Sequence, residues 1–187
     1  MLIRVFSIPS EGIDVPLNKA EEWVQTALQV ALGGLYSSKT NLVGHLNVTK
    51  TGDNVTLKGH GSIRVEPTCN RCLETSDYTM EVPLYRHLTP LEQGAHHHKQ
   101  VSSEPKEIEL QVDDLNFSYY QGEEIDLGNF LTEEIVLALP MLFLCSPDCP
   151  GLCPHCGINL KHQRCACNQE KVGSPFGVLE GIKIKKK

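Results

Sequence analysis

The stretch Val55-Thr56-Leu57-Lys58-Gly59-His60-Gly61-Ser62-Ile63-Arg64-Val65-Glu66-Pro67-Thr68-Cys69-Asn70-Arg71-Cys72 decides the architecture. Val55, Leu57, Ile63 and Val65 share one parity. Thr56, Lys58, His60, Ser62, Arg64 and Glu66 share the other. Alternation with period two predicts an antiparallel strand with one buried and one wet face. Gly59 and Gly61 mark a bulge or a close backbone approach within it. The strand then runs through Pro67 into a Cys-x2-Cys hook.

Moving outward, Thr51-Gly52-Asp53-Asn54 predicts a turn into this strand from an earlier one, in which Leu42, Gly44, Leu46 and Val48 alternate with more polar neighbours. Upstream, Leu2 to Ile8 reads as a short strand. Asn18-Lys19-Ala20-Glu21 resembles a capping box opening a helix, with Trp23, Ala27, Val30 and Ala31 at helical spacing and Gly33-Gly34 as the stop. Downstream, Met80, Val82 and Leu84 predict another strand. Residues 88–106 read as a polar loop containing His96-His97-His98, and Ile108, Leu110 and Val112 as a further strand. Asp126 is the expected N-cap of a helix whose apolar face is Leu127, Phe130, Leu131, Ile135, Ala138 and Leu139, stopped by Pro140. Ser174-Pro175 resembles a second helix start, and no internal repeat is visible.

These elements predict an α+β chain: an antiparallel sheet with covering helices and a cysteine-rich, zinc-stapled C-terminal lobe. The expected divisions are residues 1–144 as the sheet domain with the first hook, 145–170 as the zinc-binding lobe, and 171–187 as a C-terminal segment with a Lys-rich tail.

A chain of 187 residues is long enough to bury a core without cross-links, yet it carries eight cysteines. Hydrophobic residues are 40% and charged residues 21%, which places it among globular chains. No basic, then apolar, then small-residue pattern opens the chain, and no apolar run nears about 18 residues. An intracellular location is therefore expected, where clustered cysteines hold metal or do redox work.

Cys69-x2-Cys72 is one hook. Cys145-x3-Cys149-x3-Cys153-x2-Cys156 and Cys165-x-Cys167 follow. Eight thiols suit two four-thiolate zinc sites. The preferred partition is Cys69, Cys72, Cys145 and Cys149 at a long-range site, and Cys153, Cys156, Cys165 and Cys167 at a local one; spacing leaves other pairings open. Cys153-Pro154-His155-Cys156-Gly157 has the form of a zinc knuckle, with glycine giving backbone N–H groups access to sulfur. With eight cysteines available, His155 and His162 are expected to be surface residues rather than ligands. A thioredoxin-like role is disfavoured because Cys69-Asn70-Arg71-Cys72 ends a strand instead of opening a helix. An iron–sulfur cluster suits four thiolates chemically but ranks below zinc. Catalytic zinc is disfavoured because that class keeps an open position and no His-Glu-x-x-His pattern is present.

The formal net charge is −6. Two zinc ions held by eight thiolates would take it to −10. That argues against a duplex-binding surface spread over the whole protein. Ten of the residues from Glu104 to Glu134 are acidic and one, Lys106, is basic. This acidic run, including Glu123, Glu124 and Glu134, is expected to attract a basic protein. Lys183, Lys185, Lys186 and Lys187, with Arg71 at the hook, are expected to touch RNA phosphates in a salt-sensitive way. The competing accounts are an ordinary solvated face for the acidic run and a solubilising end for the lysines.

Three blocks in order resemble the YceD family of large ribosomal RNA subunit accumulation proteins. They are Cys69-Asn70-Arg71-Cys72-Leu73-Glu74, Glu124-Ile125-Asp126-Leu127 with Glu134 through Pro140, and Cys145 through Cys167. Ser174 through Leu179 is similar to the family's ending. The resemblance runs from about residue 60 onward. It implies a cytoplasmic, non-enzymatic ribosome-biogenesis factor that supports accumulation or processing of large-subunit ribosomal RNA, with no catalytic residue to carry over. Its expected partners are precursor RNA or a basic ribosomal protein, without a membrane; the sequence does not specify an oligomeric state. The alternatives are a generic zinc-ribbon nucleic-acid-binding protein and, further off, a thiol oxidoreductase or a nuclease.

Overall fold

A computed structural model describes residues 1–37, 39–91 and 117–167. The elements are β1 (Leu2–Arg4), β2 (Ile13–Asn18), α1 (Glu22–Leu32), β3 (Asn41–Thr51), β4 (Asn54–Val65), β5 (Tyr78–Pro90), β6 (Phe117–Tyr120), β7 (Glu124–Asp126) and α2 (Leu127–Ala138). The main sheet has the order β2-β3-β4-β5-β6, and β1 with β7 form a second, two-stranded sheet. The α+β class read from the sequence holds.

The decisive stretch is β4. Val55, Leu57, Ile63 and Val65 are all buried, and β4 pairs antiparallel with β3 on one side and β5 on the other. Thr51 pairs with Asn54, so Gly52-Asp53 is a two-residue hairpin loop, with Gly52 at φ +62°. The register passes through Gly59 and Gly61 without a bulge. These glycines serve close approach instead. A Cβ on Gly59 would lie 2.1 Å from the His45 carbonyl oxygen, and one on Gly44 would lie 2.3 Å from that of His60. Only glycine allows the β3 and β4 backbones to approach this closely at these positions. The strand β5 runs on to Pro90, so residues 88–90 of the expected polar loop are in the sheet; β6 then joins β5 in parallel.

Asp126 caps α2, accepting from Gly128 N–H at 2.9 Å and Asn129 N–H at 3.3 Å. Leu127, Phe130, Leu131 and Ile135 pack into the core. Arg86 of β5 clasps this helix: its guanidinium lies over Phe130 and binds Glu133 at 2.5 Å and Glu134 at 2.7 Å.

Three N-terminal expectations need correction. The strand expected over Leu2–Ile8 is only Leu2–Arg4, followed by a 3-10 turn over Val5–Ser7. Asn18 does not cap α1; it ends β2, and its Oδ1 accepts from Ala20 N–H in a local turn. The helix begins at Glu22, and Val24, Ala27, Leu28 and Leu32 are buried while Val30 is 68% exposed. Strand β2 escaped the reading because Pro16 sits inside it, which only an edge strand tolerates. No helix among the described residues is long and apolar enough to cross a membrane. The strand expected near Ile108, the His96–His98 loop, the Ser174-Pro175 start and the Lys-rich tail lie outside the described residues.

Candidate metal centres

The chain leaves β4 at Val65, turns through the first hook and enters β5 at Tyr78. Within the hook, Cys69 N–H donates to the Glu74 carbonyl at 2.8 Å, and Leu73 N–H donates to the Cys69 carbonyl at 3.0 Å. Thr68 and Thr75 form the bridge that closes it. The knuckle at Cys153 repeats this construction position for position. Cys153 N–H donates to the Ile158 carbonyl at 2.8 Å, Gly157 N–H donates to the Cys153 carbonyl at 2.9 Å, and Leu152 bridges Asn159. The residue after the second cysteine is left-handed in both, Leu73 at φ 61° and Gly157 at φ 72°. The sequence shows no repeat because this kinship lies in the backbone, and a leucine stands where the second copy has glycine.

The segment after α2 lies beside the first hook. Asn70 N–H donates to the Phe143 carbonyl at 2.8 Å, and Phe143 N–H donates back to Asn70 Oδ1 at 2.9 Å. The Phe143 ring meets Tyr78 edge to face at 5.2 Å. Arg71 Nη1 donates to the carbonyls of Pro147 and Cys149, each at 3.1 Å. At Gly151, φ +74°, an added Cβ would come 3.2 Å from the Arg71 carbonyl oxygen. These contacts bring Cys145 and Cys149 to the hook.

The eight thiols gather in two groups of four: Cys69, Cys72, Cys145 and Cys149, and Cys153, Cys156, Cys165 and Cys167. Within each group all sulfurs lie within 4.8 Å of one another. All eight cysteines are free. A tetrahedral zinc ion with Zn–S bonds of about 2.3 Å spaces its sulfurs about 3.8 Å apart. Sulfur–sulfur distances are 3.9 Å for Cys69–Cys149, 3.7 Å for Cys72–Cys145 and 3.4 Å for Cys153–Cys165. Both donor sets therefore fit a tetrahedral thiophilic dication. The first set is mostly buried; in the second, Cys156 is exposed.

The electrostatics fit as well. Backbone N–H groups of Cys72 and Cys145 favour the Cys69 thiolate and lower its pKa to about 6. Those of Cys156 and His155 do the same for Cys153, also to about 6. Cys145 is pushed up to about 12 by its hydrogen bond with Cys149 and by burial, and Cys167 likewise by Cys156. In each group one thiolate is stabilised while Cys145 or Cys167 resists ionising near it, an opposition that a dication removes.

Glu74, which sequence reasoning did not single out, joins the two centres. Its carboxylate takes the Asn159 amide at 3.0 Å, Lys161 Nζ at 3.1 Å and His162 Nε2 at 2.6 Å. His162 and Lys161 hold its pKa below the usual carboxylate range. No spacing rule links a residue beside one hook to residues beyond the other. His155 and His162 are both exposed.

Among the residues expected to meet partners, Glu123 is exposed, and exposed Glu124 faces Arg4 Nε at 3.2 Å. The Glu134 side chain is 14% exposed and held by Arg86, so it binds α2 to the sheet instead of lying open. Burial raises its pKa. Arg71 is exposed but spends one nitrogen on the loop carrying Cys149. Lys183, Lys185, Lys186 and Lys187 lie outside the described residues.

A 38-residue segment is 50% identical to an uncharacterized protein of Mycobacterium tuberculosis (strain ATCC 25618 / H37Rv), covering 20% of this chain and 18% of that protein. A counterpart in Mycobacterium bovis gives the same figures. A 61-residue segment is 28% identical to "Large ribosomal RNA subunit accumulation protein YCED homolog 1, chloroplastic" of Arabidopsis thaliana, covering 33% of this chain and 19% of that protein. The chain thus spans less than a fifth of the length of these curated relatives. No solved structure matches it. The family model described as "Large ribosomal RNA subunit accumulation protein YceD" matches residues 57–183, from within strand β4 through both knuckles, and the chain belongs to that family.

Proposed function

We propose that this protein is a non-enzymatic ribosome-biogenesis factor that supports accumulation or processing of large-subunit ribosomal RNA in the cytoplasm. The observation that carries this reading is the family match across residues 57–183, which contains both four-cysteine groups. In this reading each group holds one structural zinc ion. Four thiolates close the coordination shell, so neither ion has an open position for substrate. The first ion fastens the segment after α2 to the sheet; the second folds the lobe that Glu74 ties to the first hook. The protein then works by binding a basic ribosomal protein, precursor RNA, or both.

Depletion followed by a ribosome profile tests the reading. Loss of free large subunits and of mature large-subunit RNA is expected, with restoration by the wild-type chain. A normal profile after complete depletion overturns it. An RNA cleavage assay with magnesium tests the non-enzymatic part: the purified chain should leave precursor RNA intact.

A further inference from the structure

The face of the five-stranded sheet turned away from the core is open to solvent, and its side chains fall in rows set by register. Pro16 pairs with His45, His45 with His60, and His60 with Pro83, so one row across β2–β5 consists of four rings. All four are exposed. The imidazoles of His45 and His60 meet edge to face with centroids 4.5 Å apart. The neighbouring row runs Asp14, Asn47, Lys58 and Tyr85. Tyr85 is 48% exposed, and Lys58 is exposed. The ring row lies between the register pairs Gly44–Gly61 and Leu46–Gly59, where β3 and β4 approach closely.

We propose that this face binds single-stranded RNA, with bases stacked on His45, His60 and Tyr85 and a phosphate held by Lys58. This surface is separate from the cysteine groups, and it rests on the function proposed above only for the source of the RNA. Every base has a π-face, so stacking on side-chain rings tolerates any sequence. Rings on three adjacent strands, which run about 4.8 Å apart, give an extended strand successive seats.

Charge decides between single strand and duplex. Duplex binding is led by many phosphate contacts. Here Arg64 is tied to Asp77 at 2.9 Å, and Asp14 and Glu81 add negative charge to the same face. Lys58 is left as the phosphate contact, too little for a duplex whose bases are already stacked away. A polypeptide is less well matched, because interfaces are anchored by side chains filling desolvated pockets. Val43, 63% exposed, is the large aliphatic side chain this face offers among the described residues.

The test uses the metal-loaded full chain and an unstructured synthetic RNA of about 12 nucleotides, within the span of known single-strand sites. Micromolar binding is expected, with the matching duplex bound more weakly. His60→Ala and Tyr85→Ala should each weaken it roughly five- to hundred-fold, the effect of losing one stacked base. Tyr85→Phe, which keeps the ring, should bind as the wild type does. The slope of log affinity against log salt should be about −0.7 to −1.4, one or two phosphates. All substitutions are on the exposed face, and unchanged thermal unfolding verifies the fold. No binding, binding indifferent to H60A and Y85A, or a steep salt slope abolished by truncation after Gly181 overturns the proposal. So does a polypeptide that binds through this face when RNA does not. A normal ribosome profile with intact, ring-dependent RNA binding would sink the proposed function and leave this surface standing.

Discussion

The Glu74 carboxylate and His162 Nε2 lie 2.6 Å apart across 88 residues of chain, and this contact joins one four-cysteine group to the other. Replacing Glu74 by Gln keeps the shape and removes the charge that Lys161 and His162 share. Each group would still hold its own four thiols, so metal content should stay at the wild-type level. The lobe carrying residues 153–167 should loosen from the hook and exchange its amides faster, with the sheet unchanged. Hydrogen exchange resolved by segment checks this; equal protection in wild type and variant would show the tie to be idle.

Acid should act on the same contact. His162 and Lys161 hold the Glu74 pKa below its ordinary value of about 4.3. A carboxyl depressed in the folded state contributes stability above its unfolded pKa and loses it as pH falls through the lower folded value. The wild-type protein should therefore lose more stability than E74Q as pH drops below about 4.3. Thermal unfolding of the pair across an acid series reads the difference, and it cancels thiolate protonation, which both proteins share.

Metal content and metal loss should be separable by site. The purified chain should carry about two zinc ions. Cys69→Ser should lose one and lower the unfolding temperature of the whole sheet, because Cys69 is fully buried and its group joins the connection between β4 and β5 to the segment after α2. Cys165→Ser should lose the other and leave the sheet transition in place. Elemental analysis with calorimetry checks both, and a metal-free chain of normal stability would end the structural-zinc reading.

The close approach at Gly59 predicts a contrast between two substitutions. Gly59→Ala sets a methyl 2.1 Å from a backbone oxygen, which no side-chain rotation relieves. It should cost about 3 kcal/mol, the upper part of the overpacking range. Gly52→Ala meets nothing within 4 Å and carries only the left-handed penalty of about 1 kcal/mol. Denaturant midpoints should rank wild type, then G52A, then G59A.

Leu73 offers a substitution in the opposite direction. Its φ of 61° costs about 1–2 kcal/mol for a side chain with a Cβ, and its side chain is 63% exposed. Leu73→Gly removes that strain but adds unfolded-state freedom of about 0.4–1 kcal/mol. The variant should unfold at the same temperature or slightly higher, read by calorimetry at fixed zinc.

The legible parts of this fold are those where one interaction dominates. The alternation in β4 and the Asp126 cap followed directly from local pattern. The eight thiols gather in the preferred partition, which spacing alone left open among other pairings. Elsewhere, competing contacts won. Asn18 has the composition of a cap but is consumed by a turn at the end of β2. Val30 looks like part of a buried stripe with Trp23 and Ala27, yet it is exposed, and Val24 and Leu28 are the residues that α1 buries beside Ala27. Glu134 belongs to an acidic run and is clasped by Arg86. The kinship of the two knuckles is invisible in sequence because hydrogen bonds made by main-chain atoms leave no residue signature, except glycine at one of the two left-handed positions.

The separation of Cys72 from Cys145 by 73 residues has a consequence during synthesis. Ribosomes add about 5–20 residues per second. The first hook therefore emerges with two of its four thiols and waits roughly 4–15 s for the other two. The knuckle at Cys153, whose four thiols lie within 15 residues, has no such delay. In the nascent chain the first group is for that time a pair of thiols without its long-range partners. Once Cys149 has emerged its four thiols are all present, ahead of those of the second group, and their gathering brings the segment after α2 to the hook.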